Sequence, residues 1–353
     1  MAIIDKPSDY FNTKLTTGTG NSQAVTGLGF QPDWIWGKRR DSTGNNSLFD
    51  SVRGITKGLE SNSTGAEFTS SDYYTAFGSD GFTIAAGSGG AGNGNGQTAV
   101  QWCWKAGTSF TNDASATGIG TIDSAGSANT TSGFSIVSYT GTGSAGTIKH
   151  GLSTAPKMII QKNRDETQPW WTYVESIGAG GQLRLNATNA AGSDGATLWN
   201  STAPTSSVFS VGDNTGTNGS ADKCIAYCFA EKQGYSKFGS YVGNGSTDGT
   251  FVYTGFSPAF VMVKRTNGAN SWNIKDNRRN NASTSFNINP RNATLLPNDS
   301  AADQDANALD FLSNGFKNRS TGNDANNASG TYIYMAFAEN PFVASNFVPT
   351  TAR

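Results

Sequence analysis

Reactive and ligating side chains are few in this chain, and their spacing limits the chemistry open to them. There are 3 cysteines and 1 histidine among 353 residues. Cys224 and Cys228 lie in CIAYCF, which alternates like a strand. Four residues at about 3.3 Å each hold them about 13 Å apart, beyond the reach of a disulfide. An odd count with no histidine nearby is equally poor for zinc, so these thiols are expected to be small core residues. His150, in TIKHGLST, has no second histidine or carboxylate pair beside it and is expected at a turn or on the surface. Glycoside hydrolysis needs two carboxylates across a cleft. The candidates are Asp41, Asp50, Asp165, Glu166, Glu175, Asp276, Asp303 and Asp305, and no spacing pairs them. The Asp303–Asp305 run lacks the glycine and terminal glutamate of a calcium loop and reads as solvated loop. GSGGAGNGNG, ending at Gly96, lacks the lysine and following helix of a phosphate cradle and reads as a flexible loop. No nucleophile-elbow, zinc-helix or dinucleotide motif occurs in its required context. The expectation is a protein with no catalytic residues, no metal and no cofactor.

Aromatic residues give a better lead to a binding surface. Trp170–Trp171 and Tyr73–Tyr74 are adjacent pairs, and neighbours in a strand point to opposite faces. One ring of each pair is then a candidate glycan platform, unless the strand is covered on both faces.

The elements carrying these residues are strands. Gly numbers 44 and charged residues are only 14%, yet aromatics reach 11%, too many for a disordered chain. Short apolar runs separated by Gly, Ser, Thr and Asn turns predict an all-β protein. With 25 basic and 26 acidic residues, the net charge of −1 supplies no field for nucleic acid or an anionic membrane. No run approaches the roughly 18 apolar residues of a membrane span. The start MAIIDKPSDYFNTK lacks the basic and apolar regions of a secretion signal.

Three blocks repeat one order of elements. Each opens on an aromatic strand and a Gly-rich turn: YFNTKLTTGTG, FSIVSYTGTG and FGSYVGNG. A strand entered by proline and ended by lysine follows, with Pro32 and Lys38, Pro156 and Lys162, and Pro258 and Lys264 at the same spacing. Each block closes on an apolar strand that places Trp104, Phe229 and Phe337 in register. Large and small residues alternate along it, as expected for a strand buried on both faces. Proline suits strand entry, and the lysines are expected to mark the exit to solvent. Trp34 and Trp36 take the core positions of Met158 and Ile160, and of Phe260 and Met262. The resulting organisation is three tandem β-sandwich or jelly-roll-like repeats, over 1–107, 133–232 and 233–353. A polar linker, 108–132, reads as a flexible tether or an extended arm, so the first repeat is expected to move, while the second and third pack together.

In combination, YFNTKL with TGTG, GFQPDWIWGKRRD, LFDSVRG, VQWCWKAG and the later GFSPAFVMVKRT and YIYMAFAENPF resemble a repeated domain of virion proteins in tailed bacteriophages, especially marine and cyanobacterial ones. The resemblance implies a virion structural protein, above all a tail fibre or receptor-binding appendage contacting a host surface glycan or protein. A head decoration protein and a polysaccharide depolymerase or lectin are the alternatives; the short lead before the first block slightly favours decoration. Assembly in the host cytoplasm into the virion, other virion proteins as partners, no nucleic acid, no membrane insertion and a homotrimer are the accompanying expectations. Gly37 departs from the family pattern, where an apolar residue is expected, and suggests a local bulge.

Overall fold

A computed structural model describes residues 3–87, 90–279, 289–346 and 348–350. The chain is all-β, with helix confined to single turns such as Ala114–Thr117, Gly195–Trp199 and Thr215–Asn218.

Three large antiparallel sheets share one strand order. An opening strand (Phe11–Thr17, Phe134–Thr140, Ser236–Val242) pairs with the closing strand (Thr98–Trp104, Lys223–Phe229, Thr331–Pro341). The closing strand pairs in turn with the proline-entered strand (Trp34–Arg39, Met158–Asn163, Phe256–Arg265), which pairs with a flanking strand (Asn46–Asp50, Trp171–Val174, Asn273–Asp276). Registers agree between blocks: Trp34 lies opposite Trp104, Met158 opposite Phe229 and Phe260 opposite Phe337. Lys38, Lys162 and Lys264 likewise face Val100, Ile225 and Ile333. Pro32 and Pro156 precede their strands, whereas Pro258 sits inside one at a register shift, where a missing N–H is tolerated. No bulge forms at Gly37, which pairs in register with Ser47 and Gln101. A Cβ there would lie 2.3 Å from the Tyr74 hydroxyl, so the glycine makes room for a buried tyrosine.

The closing strands show why the sheets are covered twice. Successive residues of a strand face opposite sides. Val100, Trp102 and Trp104, with Ile225, Tyr227 and Phe229 and with Ile333, Met335 and Phe337, all enter one shared core. The intervening smaller residues, such as Cys103, Cys224, Cys228 and Ala336, face a second, smaller sheet inside each block. Each block is thus a sandwich, and three sandwiches meet through their large-residue faces. Aromatic rings interlock across the junctions: Trp34 stacks on Tyr227 at 4.4 Å, Trp104 meets Phe337 at 5.6 Å and Phe229 meets Phe337 at 6.0 Å.

Two expectations are corrected by this arrangement. The first block is not a mobile module, because its tryptophans fill the core shared with the other two. The 108–132 segment is not a tether. Its strands Thr108–Asn112 and Ser124–Asn129 extend the second block's sheet beyond the opening strand. Polar side chains suit that edge position, where one face meets solvent.

Candidate functional site: buried charge and an open cleft

Most residues that sequence chemistry singled out are consumed by the fold. Lys38, Lys162 and Lys264 do not exit to solvent; all three are fully buried. Each ammonium donates to the carbonyl of the next residue, at 3.0, 2.7 and 2.7 Å, and to a second carbonyl, of Ser300, Glu166 and Thr188 respectively. Two of those second acceptors belong to another block. Burial pulls all three ammonium pKa values down to about 8.

The junctions between blocks hold the buried carboxylates. Asp50 accepts the Arg53 Nε at 2.5 Å and the Tyr227 hydroxyl of the second block at 2.8 Å. Arg53 continues to Glu67, which Arg164 of the second block grips at 2.8 and 2.9 Å. The next junction repeats this plan with Asp276 and Arg279 at 2.6 Å, Trp102 donating to Asp276 at 2.9 Å, and Asp303 held by both Arg279 and Arg40. Asp303 is therefore an inter-block ion pair and not solvated loop. Burial is the largest influence on the Asp276 carboxyl and would raise it, but the Arg279 charge together with hydrogen bonds from Arg279 and Trp102 outweighs it and leaves the pKa lowered. At the third junction the equivalent positions, fixed by strand register and spacing, are Val174, Ile177, Ala191, Thr266 and Met335. Apolar side chains replace the ion network there, while the backbone bond persists: Ala191 N–H donates to Thr266, as Glu67 does to Arg164 and Asp303 to Arg40.

His150 is buried rather than on the surface. Its Nδ1 accepts the Leu152 N–H, which leaves Nε2 to donate to the Thr205 carbonyl, and burial lowers its pKa to about 4. All three cysteines are buried, and burial pushes the Cys224 thiol up to about 12. Trp170, Trp171 and Tyr74 are also buried and present no platform; Tyr73 is half-buried against Phe49 and Phe68. The strand Trp171–Val174 is buried throughout, whereas in Tyr74–Gly78 Tyr74 is buried and Thr75 and Ala76 are exposed. Trp170 and Trp272 instead donate their indole N–H to the carbonyls of Glu60 and Arg184 across two junctions. Among the described residues no three His, Cys, Asp or Glu side chains are grouped to hold a metal ion. No helix there is long and apolar enough to cross a membrane.

Sequence reasoning missed Asn93, Asn218 and Asn326. Each is buried, and its side-chain carbonyl accepts the N–H of Thr19, Thr142 or Asn244 in the Gly-rich turn. The described part of the stretch ending at Gly96 is therefore a packed turn rather than a flexible loop. Gly18, Gly141 and Gly243 are needed opposite these asparagines, since a Cβ would come within 2.2, 2.2 and 2.3 Å of a carbonyl oxygen. Every one of these asparagines stands eleven residues before Trp104, Phe229 or Phe337, a spacing that could have disclosed them.

One open cleft of about 660 Å³ lies between the second and third blocks, within the size range of ligand sites. The second block contributes Lys157, Glu231 and Lys232 to its lining, and the third block contributes Lys237, Tyr253 and Phe342. Lys237 pairs with Glu231 at 2.6 Å, and Lys157 pairs with Glu175 just outside. Among the described residues the Lys232 ammonium has no ion-pair or hydrogen-bond partner, and partial burial lowers its pKa. Its stem lies over Gly133. Tyr253, on the strand Phe251–Tyr253, is 58% exposed.

Residues 6–341 match the model of a domain of unknown function, DUF7483, and the chain belongs to that family. No curated protein matches it.

Proposed function

We propose that this chain is a non-catalytic structural and surface-binding module of a bacteriophage virion, a tail fibre or other receptor-contacting appendage. The observation that supports a structural role best is the fate of its ionisable groups. His150, the thiols, the three repeat lysines and the junction carboxylates Asp50 and Asp276 are buried, and Glu67 and Asp303 are mostly buried in ion pairs; all are engaged in packing or in bonds within and between the blocks. A general base or nucleophile needs access to substrate, and these groups have none. The shared core gives a rigid body whose solvent-facing features are free to contact another surface. The sequence resemblance to tailed-phage virion proteins supplies the biological setting.

Three sheets already meet around one core within a single chain, which supports a monomeric unit in place of the expected homotrimer. Mass spectrometry and cryo-electron microscopy of purified particles test the reading. Density for the three-block body on the tail is the expected result; absence of the protein from particles overturns it.

A further inference from the structure

We infer that the cleft between the second and third blocks binds an acidic saccharide, a pyranose carrying one carboxylate or sulfate. This rests on the reading of the chain as a surface-contacting module and adds the ligand class. Three observations converge on it. The first is charge: Lys157 and Lys237 are already neutralised by Glu175 and Glu231, so among the described residues Lys232 is the uncompensated charge at the cleft. One such charge suits a monoanion better than a polyphosphate. The second is the aromatic ring of Tyr253, exposed at the same cleft, which offers an apolar face to a sugar ring while the surrounding amide and ammonium groups meet its hydroxyls.

The third is the departure from the repeat. Strand register and chain spacing put Tyr253 where the other blocks have Thr26 and Lys149. Lys232 stands where they have Gly107 and Asn340, and Lys237 where they have Asn12 and Ser135. The fold is built twice without these side chains, so packing alone does not demand them. Lys237, held by Glu231, offers the ligand no free charge, which places the acid of the ligand at Lys232 and the pyranose toward Tyr253.

Isothermal titration of the full chain tests this with oligogalacturonate and a sulfated galactan, against neutral galactan, inorganic phosphate and a nucleoside monophosphate. The acidic sugars should bind with an affinity that falls as salt rises. Lys232→Met and Tyr253→Ala should each weaken binding by about tenfold or more, as expected for loss of a charge-assisted bond or a ring contact. Lys149→Met, at the position equivalent to Tyr253 in the second block, should leave it unchanged. Both cleft residues are away from the shared core, and circular dichroism with Tm checks that the variants fold. The inference is overturned if no acidic sugar binds at millimolar concentration, if neutral galactan or phosphate binds equally well, or if binding survives both substitutions. Binding failure by a protein found on particles sinks this inference and leaves the virion role standing. Binding by a protein absent from particles does the reverse.

Discussion

Replacing Asp50 by alanine is the sharpest test of the shared core. Asp50 and Arg53 have fully buried side chains. The substitution removes the acceptor for Arg53 Nε, for the Tyr227 hydroxyl, and for the N–H groups of Val52 and Arg53. Leaving a buried guanidinium short of its carboxylate costs roughly 3–5 kcal/mol. Unfolding entropy is about 2.1 cal/mol/K per residue, so 353 residues melting as one unit carry roughly 0.7 kcal/mol/K. The loss then lowers Tm by roughly 4–7 °C in a single calorimetric transition. If the blocks melted independently, a unit of roughly 100 residues would carry only roughly 0.2 kcal/mol/K, and one transition would drop by roughly 15–25 °C, away from the others. The companion variant replaces Asp50, Arg53, Glu67, Arg164 and Tyr227 by Val, Ile, Ala, Thr and Met, the residues at the third junction. Exchanging a whole buried ion network for matched apolar side chains is often neutral, so its Tm should stay within about 2 °C of the parent. Two results would refute the reasoning: a fivefold variant that falls as far as Asp50→Ala, or an Asp50→Ala protein that melts like the parent.

Further outcomes follow from the buried titrating groups and from the core. The three lysines have pKa values of about 8, below the ordinary 10.5. The unfolded chain therefore holds more of these protons above pH 8, and stability should rise from about pH 7.5 to 8.5, before the buried thiols and phenols, whose pKa values are raised, oppose the lysines at higher pH. Urea midpoints read this rise, and Lys162→Met should reduce it by about a third, one lysine of three; a midpoint that falls between pH 7.5 and 8.5 would contradict the assignment. His150 has a pKa of about 4 against an ordinary 6.5, so stability should fall as pH drops through that window, by about 3 kcal/mol in all. Read between pH 6.5 and 5, before most carboxylates titrate, the slope should vanish in His150→Gln. In light scattering the protein should run as a 36.9 kDa monomer, because the faces that would otherwise trimerise are already covered; a mass three times larger would count against that.

The repeat was legible because it rests on local spacing. The proline-to-lysine interval and the closing-strand alternation reproduce the observed registers residue for residue, including Trp34 opposite Trp104 and Trp36 opposite Trp102. What a single strand cannot disclose is what covers each face. The large residues of the closing strands read as ordinary sandwich core, yet they meet the other two blocks, while the smaller ones line the sandwich. The lysines were misread for the same reason. A lysine ending an apolar run usually marks solvent, but Lys38 and Lys264 end against carbonyls supplied by Ser300 and Thr188, far away in the chain. Arg164 and Glu67 are 97 residues apart, so no sequence window shows them as a pair. The cleft escaped notice too. Its residues come from both sides of the junction between the second and third blocks, and Tyr253 was not among the adjacent aromatic pairs that drew attention.

Divergence among the three junctions also explains how a threefold arrangement keeps its order. With identical junctions, any block could dock on any other. Here Tyr227 and Arg164 of the second block match Asp50 and Glu67 of the first, and Trp102 and Arg40 of the first match Asp276 and Asp303 of the third. The third block offers Met335, which has no donor where Tyr227 and Trp102 have one, and Thr266, whose hydroxyl is engaged with Thr331 and which has no guanidinium where Arg164 and Arg40 have one. Docked against the first block they would leave Asp50 without its Tyr227 donor and Glu67 without Arg164, a penalty on the order of several kcal/mol. The apolar set Val174, Ile177 and Ala191 on the second block is the surface that accepts them without that cost. Two ionic junctions and one apolar junction thus specify a single cyclic order. A homotrimer, whose interfaces must all be alike, has no such freedom, and only a chain with unlike junctions can reserve one of them for Lys232 and Tyr253.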